Sequence, residues 1–376
     1  MKCIVNSRII LPDRILDDHV LLFDKNIEAI LPRCECNLAD YEVLDAAGMY
    51  AAPGLVDLHI HGYMGCDVCD ADPEGLRMIS RGIARNGVTA WCPTTMTIAK
   101  ADILRTFDAV RTVKAEGSGG AQILGIHCEG PFISPSKKGA QPLTYILPPD
   151  SDFLLEHADI LKIVTIAPEM DKDFSCVRAL YEDGRILVSM GHTNADFETA
   201  RASIDAGVRH CTHLFNAMST LNHRQPGVAG AALADPRVSC ELIADCFHVH
   251  PGMFPLASTL KGNKLCLITD CMRAGGMEDG TYTLGGQTVI KKGVACLLED
   301  GVIAGSVLTL NKAVKNLYDR TALDLPQAFA CASLHPAAAI GEANRIGSLE
   351  VGKQADIILC DEELQVQKTI LAGVTL

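Results

Sequence analysis

The 376-residue sequence places two histidines two positions apart in the apolar run GLVDLHIHG at 54–62. Short, branched apolar runs of this kind indicate a buried strand, whose side chains alternate with a period of two. His59 and His61 therefore share one face, and Leu58 and Ile60 take the other. Two imidazoles on one face at a strand end are spaced to chelate a metal ion. Core histidines bonded to backbone would look the same in isolation, so the remaining ligands decide.

Four more metal-competent residues stand at the ends of later strand-like runs. Glu129 lies in HCEGP, His192 in GHT, His213 in THLFNAM and Asp270 in TDCM. Each alone has a plainer role, as a loop cap, a core histidine or a turn former. Six converging on one rim point to metal. Imidazole and carboxylate without thiolate suit one or two divalent ions, Zn²⁺ first, with Fe²⁺, Mn²⁺ or Co²⁺ as alternatives. Such an ion draws the pKa of a bound water toward neutrality, and a nearby carboxylate accepts the proton. Asp270, last on the rim, is the candidate for that shuttle. The chemistry is metal-assisted hydrolysis.

These residues need elements to position them. Strand-like runs end at each: GLVDLHIHG, VTAWCPTT, QILGIHCEG, LKIVTIAPE, RILVSMGHT, HCTHLFNAM, SCELIAD and KLCLITD. Helix-like segments such as PEGLRMISRGIARNG and NADFETARASIDAG lie between most of them, the second opening on an Asn or Asp cap. Eight such units predict an α/β fold, a (β/α)₈ TIM-like metal-dependent hydrolase barrel, over 54–345. Its active site belongs at the C-terminal ends of the strands. The glycine-rich stretch after the eighth strand reads as inserted hairpins. Residues 1–53 and 346–376 are both strand-and-turn sequence, which predicts one small β-sandwich domain formed by both termini.

Composition narrows the partners. The chain is 48% hydrophobic and 21% charged, with a formal net charge of −13. That charge argues against nucleic acid or an anionic membrane, and it requires a local cationic patch for any anionic substrate. No apolar run approaches a membrane-spanning length, and the start MKCIVNSRII lacks a secretory core, so a cytoplasmic location is expected. Of the 16 cysteines, Cys92, Cys240, Cys266 and Cys296 sit in apolar runs, as reduced thiols do. A four-cysteine zinc site from Cys34, Cys36, Cys66 and Cys69 is the competing reading, at loose spacing.

Taken together, PGLVDLHIHG, HCEGPFISPSKKGA, GHTNAD, THLFNAM, RQPGVAG, LITDCM and AGSVLTLNKAV resemble the amidohydrolase superfamily and, within it, the N-acetylglucosamine-6-phosphate deacetylases. The resemblance runs over nearly the whole chain. It implies removal of the acetyl group from an N-acetylated amino-sugar phosphate, by a cytoplasmic homodimer. It implies Glu129, His192 and His213 as principal metal ligands, His59 and His61 as second-metal ligands, and Asp270 as the catalytic acid and base. Arg224 and His248 match a phosphate-binding pair. Asn216 and Ala217 match a backbone contact to the sugar phosphate, Ala140 and Gln141 fall among the substrate-binding positions, and Ile303, Ala304 and Gly305 match a loop that closes over the acetyl group. Many amidohydrolases bridge two metals with a lysine on the fourth strand. Lys162 starts that strand, the wrong end, so Glu129 takes the bridging role.

One position departs. Where the family usually has histidine to polarise the acetyl carbonyl, this sequence has Gln141, which donates a hydrogen bond but carries no charge. The alternatives are an amidohydrolase acting on a related substrate, such as N-acetylgalactosamine 6-phosphate, a cyclic amide or a nucleobase. A metal-free scaffold on this fold would have lost ligands, and all six are present.

Overall fold

The computed structural model describes residues 1–376. Eight parallel strands form its centre: β1 (Leu55–Ile60), β2 (Val88–Pro93), β3 (Ile126–Glu129), β4 (Leu161–Ile166), β5 (Leu187–Met190), β6 (His210–Cys211), β7 (Ser239–Ile243) and β8 (Leu265–Ile268). β1 pairs with β2, and β3 through β8 pair in sequence order. Two seams complete the ring. Thr95 N–H donates to the His127 carbonyl at 3.0 Å between β2 and β3. Asp270 N–H donates to the His59 carbonyl at 2.8 Å, and His61 N–H to the Cys271 carbonyl at 2.9 Å. The closing seam thus runs through three of the predicted ligand positions.

Every residue of β1 and β2 is buried, the continuous burial expected of parallel strands covered on both faces. Helices supply the outer cover. α1 (Pro73–Ala84) begins with Pro73 behind an Asp72 cap that accepts from the Glu74 and Gly75 amides, and it buries Leu76, Ile79 and Ile83. Each of those side chains stabilises the fold by about 2 kcal/mol on burial. A later helix, Phe197–Ala206, starts at Asp196, whose carboxylate accepts the Thr199 N–H at 2.8 Å. Both helices lie where the periodicity put them.

The terminal segments form two sheets, one of which mixes the chain's ends. A six-stranded sheet joins Arg8–Ile10, Ile15–Leu16 and Tyr50–Pro53 to Ile357–Cys360, Val366–Leu371 and Val374–Thr375. A four-stranded sheet holds Lys2–Val5, His19–Phe23, Ile27–Pro32 and Glu42–Asp45. Strand alternation explains how the six-stranded sheet is used. Ile9, Ala51, Ile357 and Leu359 join a small apolar core with Leu21 and Phe23 of the other sheet. Their neighbours Ile10, Ala52, Ile358 and Cys360 join the large barrel core. One sheet therefore serves two cores.

After β8 comes a three-stranded antiparallel insert, Gly280–Leu284, Gln287–Lys292 and Ala295–Leu298. Its first turn is the pair Gly285–Gly286, both at positive φ (56° and 81°), as a tight two-residue hairpin requires. The insert packs Leu284, Val289 and Cys296 against Met96, Met272 and Ala304 at the barrel's C-terminal rim.

Candidate active site

The six predicted ligands come together at that rim. Glu129 is the hub: its Oε1 lies 3.0 Å from His213 Nε2, 3.1 Å from His192 Nε2 and 3.4 Å from His59 Nε2. Its Oε2 lies 3.4 Å from His61 Nε2. Asp270 Oδ1 is 3.2 Å from His61 Nε2 and 3.5 Å from His59 Nε2. Two groups with metal-ligand spacing result, His59–His61–Glu129 and Glu129–His192–His213, sharing the carboxylate.

Tautomers test whether these residues fit an ion. His59 Nδ1 lies 2.9 Å from Glu241 Oε2, His61 Nδ1 3.2 Å from the Thr94 carbonyl and His192 Nδ1 2.8 Å from the Lys137 carbonyl. Each partner is an acceptor, so each Nδ1 donates and each neutral ring turns an Nε2 lone pair toward the centre. Yet His59 and His61 bring their Nε2 atoms within 3.2 Å, and His192 and His213 within 3.1 Å. The facing lone pairs of His59 and His61 repel unless a cation sits between them, and His213, whose Nδ1 has no partner, is free to take the same tautomer. The donor set fits a divalent metal.

Electrostatics show the same demand for positive charge at the centre, met by protons on the rings where no ion is bound. Burial alone would depress the His59 ring, but Glu241, Glu129 and Asp270 lift it to about 9, and His61 rises well above the usual histidine range against Asp270 and Glu129. Burial would raise Glu129 and Asp270, yet the surrounding imidazoles hold both below the ordinary carboxylate range. The site is built to hold charge of both signs out of water.

Backbone strain marks the same residues. His192 (φ 46°), His213 (φ 30°), Ala217 (φ 47°) and Asp270 (φ 49°) are all left-handed, a conformation that costs a non-glycine residue on the order of 1 kcal/mol. Three of the four follow the ends of β5, β6 and β8 within three residues, where the chain leaves its strand.

A cavity of about 370 Å³ opens above this centre. Of the predicted residues, His61, Glu129, Ala140, Gln141, His192, His213, Asn216, Ala217, His248, Asp270, Ile303 and Gly305 line it. His59 is fully buried behind them, and Ala304 faces the apolar insert cluster instead of the cavity. Arg224 does not join His248 there. It is exposed on a turn where its N–H bonds Asn222 Oδ1, because the 221–225 segment runs outward over the surface. Lys162 pairs with Glu342 at 3.3 Å at the start of β4, so it takes no part. The four-cysteine reading falls: Cys69 Sγ accepts the Met96 N–H, Cys66 faces Met78, and no cysteine joins a metal-competent group.

Several residues escaped the sequence reading. Lys137 lines the cavity from the loop after β3. Glu241, fully buried on β7, bonds His59 and His210 and accepts the His213 N–H. Asp57, two residues before His59, accepts the Thr269 hydroxyl at 2.6 Å and so braces β8 just before Asp270. His127 bonds the Leu58 carbonyl and Thr165, and burial beside His59 pushes its pKa down to about 3. Their signal is weak in sequence, since a lone acid or histidine inside an apolar strand carries no spacing.

Comparison with known proteins agrees with this geometry. The amidohydrolase family model matches residues 50–376. N-acetylglucosamine-6-phosphate deacetylase of Bacillus subtilis (strain 168) is 41% identical over 340 residues, 88% of this chain and 86% of that protein. N-acetylgalactosamine-6-phosphate deacetylase of Escherichia coli O157:H7 is 36% identical over 95% of this chain and 94% of that one. The structure of an aspartate-to-alanine mutant of the Mycobacterium smegmatis N-acetyl-D-glucosamine-6-phosphate deacetylase, in complex with N-acetyl-D-glucosamine-6-phosphate, superposes with a TM-score of 0.91 at 29% identity, over 100% of this chain and 98% of that chain. The chain belongs to the amidohydrolase family and, within it, to the group of the N-acetylglucosamine-6-phosphate deacetylases.

Proposed function

We propose that the chain hydrolyses N-acetyl-D-glucosamine 6-phosphate to D-glucosamine 6-phosphate and acetate. The observation that carries this is the convergence of four imidazole Nε2 atoms on Glu129 and Asp270, at a cavity also lined by Lys137 and His248. His192, His213 and Glu129 would hold the tighter metal, with His59, His61 and Asp270 completing a second position. Zn²⁺ is the metal we favour. When bound, it lowers the pKa of a coordinated water and polarises the acetyl carbonyl.

Asp270 does the proton work. Its carboxylate is ionised at neutral pH, so it accepts the proton of the attacking water as the new carbon–oxygen bond forms. It then passes that proton to the amide nitrogen, which leaves poorly unless protonated, as the carbon–nitrogen bond breaks. Asn216 and Ala217 would contact the sugar phosphate, and Ile303 and Gly305 would close over the acetyl group. His248 is held by Asp245 Oδ2 at 2.6 Å from its Nδ1, which leaves Nε2 for the phosphate. Lys137 would add a charge from the other side, and Arg224 is proposed as a further contact from its exposed loop. Phosphate binding far from the scissile bond then orients the acetamide.

The galactosamine isomer is the second reading, favoured by the E. coli O157:H7 relative that spans almost the whole chain. The test is acetate release by the metal-loaded protein from both 6-phosphates and from unphosphorylated N-acetylglucosamine. No acetate from N-acetyl-D-glucosamine 6-phosphate would overturn the substrate. We also propose a homodimer, a cytoplasmic location supported by sixteen free cysteines, and a division into 1–53 plus 346–376 and 54–345. No helix is long and apolar enough to cross a membrane.

A further inference from the structure

We infer that Gln141 is a positioning residue whose side-chain amide clamps the Glu129 carboxylate, turning Oε1 to His192 and His213 and Oε2 to His61. Gln141 is 2% exposed, and both ends of its amide are engaged. Nε2 donates to Glu129 Oε2 at 2.7 Å, and Oε1 accepts the Thr97 backbone N–H at 2.6 Å. The Thr97 bond fixes which way round the amide sits. Exchanging its oxygen and nitrogen would set N–H against N–H at Thr97 and carbonyl against carboxylate at Glu129.

The consequence lies at Glu129. Rotation about the last torsion of a glutamate is soft, so an unrestrained carboxylate would sample both orientations of its two oxygens. Here one lone pair of Oε2 is occupied by Gln141, while Oε1 stays free at 3.0 and 3.1 Å from His213 and His192. Thr97 follows β2 and Gln141 follows β3, so the clamp links two rim loops to the shared ligand. This differs from a role in polarising the acetyl carbonyl, because one amide hydrogen is already committed to Glu129. Partners that orient a metal ligand are worth about 10- to 100-fold in metal affinity.

The inference rests on the metal reading above but not on which sugar is the substrate. Gln141→Leu removes both ends of the clamp, and Gln141→His keeps one donor and one acceptor. The Zn²⁺-loaded wild type and both variants are titrated with a chelator, with bound metal read by elemental analysis and no substrate present. Gln141→Leu should bind Zn²⁺ about 10- to 100-fold more weakly, and Gln141→His should recover most of that loss. Unchanged affinity in Gln141→Leu, with a kcat loss that added metal does not rescue, would mark a carbonyl polariser and overturn the inference. Equal losses in both variants would overturn it too, as a packing effect. A wild type that bound no Zn²⁺ would remove the metal reading itself, a result distinct from either.

Discussion

Glu241 Oε2 lies 2.9 Å from His59 Nδ1 and also accepts the backbone N–H of His213 at 3.0 Å, so one buried carboxylate on β7 holds a residue of each of the two metal-competent groups that share Glu129. The imidazoles around it hold this carboxyl well below the ordinary range despite complete burial, and it stays charged at neutral pH. Glu241→Gln keeps the size but offers one acceptor oxygen in place of two. Metal affinity should fall about 10- to 100-fold by chelator competition, with the His59 position losing most. Unaltered affinity would reduce Glu241 to a core hydrogen-bond partner.

How much of this could be read from sequence follows from how local each signal is. The His59–His61 pair is a two-residue spacing on one strand, and period two alone puts both rings on one face. Glu241 carries no such spacing, because its partner His59 is 182 positions away and only barrel closure brings them together. Lys137 was missed for a different reason: a lysine in a polar loop reads as a solvated surface residue until the fold turns it toward a cavity. Arg224 shows the converse: its motif points to a site, and its turn places it on the surface outside the cavity lining. The terminal strands were legible as strands. That Ile9 and Ile10 serve separate cores depends on what covers each face, which their own sequence does not state.

Asp270 should prove indispensable to turnover while sparing the fold. Its N–H stays bonded to the His59 carbonyl whatever side chain it bears, so Asp270→Asn keeps the barrel seam. The amide cannot accept and return a proton, and kcat should drop at least about 10²-fold. Asn also removes a charge near His61, so metal content must be measured beside the rate. Full metal content with near-normal kcat would exclude Asp270 as the proton carrier.

Lys137 and Arg224 should separate by substrate. Lys137 lines the cavity, so Lys137→Ala should lower kcat/KM for the 6-phosphate by roughly 10-fold or more, the scale of one charge-assisted contact, and leave the slow turnover of the unphosphorylated sugar nearly unchanged. Arg224→Ala should show the same selectivity if its exposed loop reaches the phosphate. Equal losses on both sugars, for either variant, would end its assignment as a phosphate contact.

Acid stability offers a check remote from the metal. His335, half-buried on the short helix Leu334–Ala339, lies with Nδ1 3.0 Å from the Leu265 carbonyl, and burial lowers its pKa below the ordinary histidine value of about 6.5. The folded state thus favours the neutral ring. Below pH 6.5 the unfolded chain takes up a proton that the folded chain refuses, and stability must fall with pH. The contribution is fully present above pH 6.5 and is lost as pH drops toward the folded pKa. His335→Asn keeps a side-chain donor but cannot titrate, so its midpoint for thermal unfolding should fall less than that of the wild type between pH 7 and about 5. The metal-dependent loss is common to both proteins and cancels in the difference. Parallel curves across that range would mean that His335 titrates equally in the folded and unfolded chains.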